Sequence, residues 1–250
     1  SRTDIAVIKI DEKGLSPAEF GDSESLVVGE TVIAIGNPSA EGIAVTSGIV
    51  SVDSEYIKMT GADNKTEVEF RVIRTDTAVN SGNSGGGLFN GKGELIGIVN
   101  AKISSTDVEN IGYAIPSSVC DAIVKNIIYY CFGQECESVV RPLLGISLQV
   151  VDTWTELNVS TGLIEKHEKS QVVLVTEGSL ADGKVNVGDT VVSIIVGGKT
   201  TFVERQFELI DALINARVGT TITLRVKRVE TGEAENIVIE ITKDCLTVFK

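Results

Sequence analysis

Short runs of β-branched residues, each closed by glycine, asparagine or aspartate, fill the first 116 residues of this chain. Thr31-Val32-Ile33-Ala34-Ile35 runs into the turn Gly36-Asn37-Pro38, and Thr46-Ser47-Gly48-Ile49-Val50-Ser51-Val52 follows. Such side chains lose rotamer freedom in a helix and pack well on a pleated surface, so they favour strands. The pattern predicts strands at residues 4–10, 30–35, 46–52, 67–73, 87–89, 94–99 and 113–116, a loop at 53–66, and no helix among them. Asn90-Gly91-Lys92-Gly93 between two of these runs is a hairpin signal. Short strands joined by turns in this way predict a barrel or a sandwich.

After Pro116 the texture changes. Val119, Ile123, Ile127 and Tyr130 share one helical face, Ser118 and Asp121 have capping-box spacing, and Gly133 is a stop signal. Residues 133–142 read as a linker. A second unit follows, with strands at 145–151, 172–176, 190–196, 221–227 and 237–241 and a helix at 202–216, where Phe207, Ile210, Leu213 and Ile214 line one side. The insertion 152–169, which carries Trp154, reads as a packed surface loop.

Charge and composition exclude several classes of function. The net charge of -13 repels phosphate backbones and anionic lipid, so no nucleic-acid or membrane-surface binding is expected of this region. No apolar run reaches transmembrane length and no signal peptide opens the chain. The four cysteines lack Cys-x-x-Cys spacing and there is one histidine, so neither a metal site nor a cofactor is expected. Cys131 and Cys136 are spaced for a small disulfide loop, with free buried thiols as the alternative. Gly198-Lys199-Thr200 lacks the upstream glycine of a phosphate loop, and Asn64-Lys65-Thr66 and Asn158-Val159-Ser160 are sequons by pattern only.

The stretch with most chemical content is 75–86, in which Ser84 lies between Gly82 and Gly85-Gly86. A nucleophilic serine needs a hydroxyl clear of the backbone and N–H groups aimed at the oxygen that becomes negative. Glycine allows the backbone angles that turn those groups inward. Alone, Gly-Asn-Ser-Gly-Gly is also consistent with an ordinary turn between strands.

Six stretches in order, at residues 3–10, 34–38, 45–51, 75–86, 94–98 and 112–116, resemble the HtrA (DegP-like) serine endopeptidases, a trypsin-like protease domain followed by a PDZ domain. The resemblance implies a mainly β chain: a chymotrypsin-like double β-barrel, with the N-terminal part of the first barrel missing, over 1–132, a linker over 133–142, and a PDZ domain over 143–250. It implies Ser84 as nucleophile and Asp4 as the triad aspartate that orients the histidine. It makes the N–H groups of Gly82, Asn83 and Ser84 the oxyanion hole. Ala78, six residues before the serine, falls at the base of the primary substrate pocket with Val79 beside it. No carboxylate lies there for a basic side chain, so small or aliphatic side chains are expected. Arg141-Pro142-Leu143-Leu144-Gly145-Ile146 resembles the PDZ carboxylate-binding loop, in which the N–H groups of Leu144, Gly145 and Ile146 converge on a peptide terminus. Val185 to Val192 matches the Gly-Asp turn of that domain, and residues 178–183 a shortened helix.

The resemblance also implies protein quality control outside the cytoplasm, unfolded or C-terminal peptide segments as partners, and a trimer when the protein is full length. Ser81 and Gly87 depart from residues the family usually has there, and both loosen the loop. The family's loop switching places mobile loops at 37–46, 53–71, 75–83 and 102–110. The triad histidine of the family lies upstream of the aspartate, and the only histidine here, His167, reads as an exposed loop residue of the second unit. The expectation is therefore a truncated chain, inactive alone. A proteolytically inactive peptide-binding scaffold or chaperone is the alternative.

Overall fold

A computed structural model describes residues 3–38, 42–60, 67–79, 82–100, 111–131, 139–160 and 162–249. The chain divides into two compact units, Ser1–Lys125 and Asn126–Lys250.

In the first unit, β1 (Thr31–Gly36), β2 (Ala44–Thr60), β3 (Glu67–Thr75), β4 (Gly87–Asn90), β5 (Leu95–Val99) and β6 (Gly112–Pro116) close into an antiparallel barrel in the order β1-β2-β3-β6-β5-β4. Alternation sets the register: Val32 and Ala34 point inward from β1 and join Val50, Ile73, Leu88, Ile96, Val99 and Ala114 in the barrel core. Closure leaves no unpaired edge among these strands. Each fully buried aliphatic side chain contributes about 1.5–3 kcal/mol relative to exposure.

Helix α1 (Ser117–Cys131) follows β6. The expected capping box at Ser118 and Asp121 is not formed. Ser118 is already the second helical residue; its N–H donates to Ser23 Oγ (3.1 Å), and its hydroxyl meets Ser23 and Glu24. Asp121 instead pairs with Lys125 one turn on, at 2.6 Å.

The second unit holds β7 (Val139–Pro142), the hairpin of β8 (Ile146–Asn158) with β9 (Leu163–Val175), β10 (Thr190–Val196), β11 (Lys199–Phe202), helix α2 (Gln206–Ile214), β12 (Thr221–Lys227), β13 (Ala234–Glu240) and β14 (Leu246–Phe249). A four-stranded sheet runs in the order β11-β10-β12-β13, and β14 pairs with β7. Ile194, Ile222, Leu224, Ile239 and Ile241 form its core with Leu209 and Leu213 of α2. Asp189 is fully buried beside this core, held by Arg228 Nη1 at 2.6 Å and by the N–H groups of Asn186 and Val229.

Several expectations need correction. Residues 4–10 are not a strand; all but Ile5 are exposed, and they pair with no described strand. Residues 53–60 are not a loop but the second half of β2, paired with β3 through two bulges. The insertion 152–169 is not a packed surface loop but the outer part of the β8–β9 hairpin, with Trp154 directly opposite His167. His167 is correspondingly a strand residue, stacked on Trp154 with ring centroids 5.5 Å apart. Part of the expected linker is β7, and residues 178–183 form successive turns rather than a helix. Residues 53–60 and 152–169 were misread because a polar segment becomes a strand only through its partner, which local composition does not reveal. Cys131 is disulfide-bonded, Cys120 and Cys245 are free, and Cys136 lies outside the described residues, as do 102–110 and Gly133.

Candidate active site

The loop from β3 to β4 is fixed before it reaches the serine. Asp76 Oδ1 accepts from the N–H of Ile49 at 2.7 Å, and Thr75 and Thr77 share a hydroxyl contact of 2.6 Å. The hydroxyl of Thr46 donates to the carbonyl of Ala78 at 3.0 Å. Gly48 lies under this knot; a Cβ there would overlap Asp76 Oδ1. Ala78 is exposed, and Val79 is half-buried against the barrel core with Gly112 beside it. Asn80 and Ser81 lie outside the described residues.

Beyond them the chain bends on Gly82 (φ 101°) and Gly85 (φ 84°), with Ser84 exposed between. Both angles lie where a side chain is strained, so the sequence requirement for glycine is direct. Asn83 is buried against Gly36, and its Oδ1 has no hydrogen-bond partner. An orphaned acceptor next to an exposed hydroxyl is a cost of the kind that functional loops carry. A Cβ on Gly86 would overlap the carbonyl oxygen of Ile35, so β1 and this loop meet backbone to backbone.

The loop is then tied to the end of β5. Gly85 N–H donates to Val99 O (2.9 Å), and Val99 N–H to Gly86 O (2.8 Å). The next residue, Asn100, is buried and donates its side-chain amide to Asp4 Oδ2 at 2.9 Å. Asp4 itself adopts φ 51°, a left-handed angle uncommon outside glycine. Asp4 and Ser84 thus arrive at the same end of β5, anchored on adjacent residues.

Asn100 was not singled out in the sequence, where nothing marks it apart from the other polar residues that end strands. Gly36 and Gly48 did carry a signal, since glycine inside a strand pattern marks close backbone approach. Cys120 is no rival nucleophile. Burial pushes its thiol up to about 12, against the opposing pull of backbone hydrogen bonds.

A second arrangement stands in the other unit. Gly145 has φ 77°, and a Cβ there would overlap Ser179. Its carbonyl accepts from Thr176 N–H (2.7 Å), and that of Leu144 from Ala181 N–H (3.0 Å). Leu144 is buried in the core and Ile146 packs against it. Strand β8 leaves this loop with β9 on one side only, and Gln206 of α2 donates to the Leu148 carbonyl at 3.1 Å.

Residues 1–98 match the model of the trypsin-like peptidase domain. The chain is 36% identical over 236 residues, 91% of its length, to "Serine protease Do-like HtrA" of Bacillus subtilis (strain 168). It is likewise 36% identical over 246 residues to a "Probable periplasmic serine endoprotease DegP-like" of Bartonella henselae. It covers 50% and 44% of these two proteins, so the chain spans about half the length of the curated relatives it matches. Among solved structures it superposes on "HtrA-type protease AlgW with tripeptide" with a TM-score of 0.61 and 31% identity, covering 96% of this chain and 74% of that one. The ordered motifs, the barrel and these likenesses agree: the chain belongs to the HtrA family of trypsin-like serine proteases.

Proposed function

We propose that this chain supplies the nucleophile, Ser84, and the orienting carboxylate, Asp4, of an endopeptidase that hydrolyses unfolded polypeptides in protein quality control. One observation carries the reading. The glycine-flanked serine loop and the Asp4–Asn100 pair are anchored side by side at the end of β5. In the mechanism, Ser84 Oγ attacks the scissile carbonyl and gives its proton to an imidazole. Asp4 stabilises the resulting imidazolium, and N–H groups of Gly82, Asn83 and Ser84 stabilise the oxyanion. The single histidine of the sequence, His167, is stacked on Trp154 in the second unit, and this reading gives it no part in the triad. On this reading the stretch alone is inactive, as removal of one triad member costs about 10⁴–10⁶ in turnover.

Ala78 and Val79 line a primary pocket without a carboxylate, which favours small or aliphatic side chains before the cleaved bond. The second unit acts as a PDZ domain. The loop at Leu144, Gly145 and Ile146 receives a peptide carboxylate, and the open side of β8 accepts the peptide as an added strand. The similar AlgW structure is described with a tripeptide, which supports a peptide-binding role here. Assembly as a trimer and a place outside the cytoplasm follow from the same kinship; one matched relative is described as periplasmic.

The test is degradation of casein by the full-length gene product. Loss of activity in Ser84→Ala, with secondary structure retained, supports the reading. Undiminished casein cleavage by that variant overturns it. Total inactivity of the unmutated full-length protein, with peptide binding preserved, supports a non-proteolytic scaffold instead.

A further inference from the structure

The hairpin insertion that the protease reading leaves unused borders an open pocket. Between the hairpin, the start of β10 and the end of β11 lies a pocket of about 290 Å³, walled by Trp154, His167, Phe202 and Val203. That volume is at the low end for ligand pockets, about 300–1,000 Å³, and suits one side chain better than a whole cofactor. The walls are aromatic. Trp154 and His167 stack at 18° between planes, and Trp154 keeps 46% of its surface exposed. Phe202 is exposed across from them.

Polar side chains give the cavity its chemistry. Ser170 lines it, is 4% exposed, and its Oγ has no hydrogen-bond partner. An unpaired buried hydroxyl costs about 1–3 kcal/mol, so a group that bonds to it recovers that cost. Glu204 lies at the rim with its side chain 63% exposed, and His167 Nδ1 stands 3.5 Å from its carboxylate. Glu168 is already engaged by Lys166 at 3.0 Å. Lys169 also borders the pocket and sits opposite Asp152 in the ladder.

We propose that this pocket binds an arginine side chain of a polypeptide, at a site separate from the carboxylate loop. The guanidinium is planar and delocalised, so it lies against the Trp154 and Phe202 rings, where a cation is attracted by the π face. Its five N–H donors pair with the Glu204 carboxylate at the rim, and the buried Ser170 hydroxyl accepts from a second edge of the guanidinium once its cover shifts, a pair of contacts that a lysine ammonium makes less well. The acidic surface of the chain, net -13, draws basic segments toward it. The site needs neither Ser84 nor the peptide terminus.

Trp154 is the only tryptophan of the chain, so its emission reports the site directly. The probe is acetyl-Gly-Arg-Gly-amide, whose blocked ends keep it off the carboxylate loop, titrated into the full chain. A saturable change in emission is expected, at least tenfold weaker for the neutral citrulline peptide, at least tenfold weaker in Glu204→Gln, and several-fold weaker in Ser170→Ala. No saturable change overturns the proposal. So does equal binding of the citrulline peptide, or a response that Glu204→Gln leaves intact. Should Glu204→Gln fail to fold by circular dichroism, Phe202→Ser, at an exposed position, tests the same expectation. A free-carboxylate peptide without arginine, titrated in parallel, tests the carboxylate loop separately, so the two readings fail independently.

Discussion

The side-chain amide of Asn100 donates to the Asp4 carboxylate and holds it at the end of β5. A hydrogen bond to a charged group is worth about 1.5–3 kcal/mol, or roughly 10- to 150-fold in rate if it is needed in the transition state. Asn100→Ala in the full-length protein is expected to lower kcat/KM by at least tenfold with little change in KM, measured on a chromogenic peptide. The Gly86 and Gly36 positions admit no side chain, so Gly86→Ala should displace the serine loop and remove activity before the barrel unfolds. In the second unit Asp189 makes the corresponding residue-scale prediction. Burial alone would raise its carboxyl, but the N–H groups of Asn186 and Val229 and the Arg228 guanidinium outweigh that and hold it below the ordinary range. The folded state therefore binds its proton less tightly than the unfolded state, and the contribution to stability is complete above the unfolded value, about 3.9. It is lost as pH falls below that value and through the folded one. Asp189→Asn should lower Tm at pH 7 and flatten the loss of Tm between neutral and acid pH. Breaking such a pair costs up to about 3–5 kcal/mol, and less here because Arg228 keeps 21% exposure and a second partner in Glu235.

At the scale of elements, legibility in the sequence followed the density of β-branched residues. β10 and β12 carry continuous or alternating β-branched residues, and the expected bounds coincide with the observed Thr190–Val196 and Thr221–Lys227. The outer half of β2 and the hairpin beyond Val151 are polar, and they are strands only because a partner strand satisfies their backbone groups. Residues 4–10 show the converse: an apolar alternation without a ladder does not make a strand. The serine loop was legible in its glycines, whereas its attachment to β5 through Val99 and Asn100 was not, because that contact joins residues with no shared local pattern. One further outcome belongs to this scale. The Leu148 carbonyl faces α2 and is occupied by Gln206, so an incoming peptide strand must displace that amide. A net hydrogen bond is worth about 0.5–1.5 kcal/mol. Gln206→Ala should tighten binding of a free-carboxylate peptide about two- to tenfold by titration calorimetry, and unchanged affinity would count against strand addition at β8.

For the molecule as a whole, each unit has its own apolar core. Leu88→Ala, at a fully buried barrel position, should cost about 2–5 kcal/mol and speed hydrogen exchange in β1 to β6, with the amides of β10 and β12 as the comparison. The carboxylate of Asp4 has an unusual relation to that barrel. Among the described residues its chain next makes backbone hydrogen bonds to the body at Glu19–Gly21, where Leu95 N–H donates to Glu19 O and Gly21 N–H to Leu95 O, at the opposite end of β5. The fifteen or so residues between could stretch about 50 Å, while β5 is only about 17 Å long. They form a slack tether with exposed Lys9 and Lys13. A single nick at either lysine would put the acid and the serine on separate pieces of polypeptide, so limited digestion is expected to lower activity while sparing the body that carries the serine.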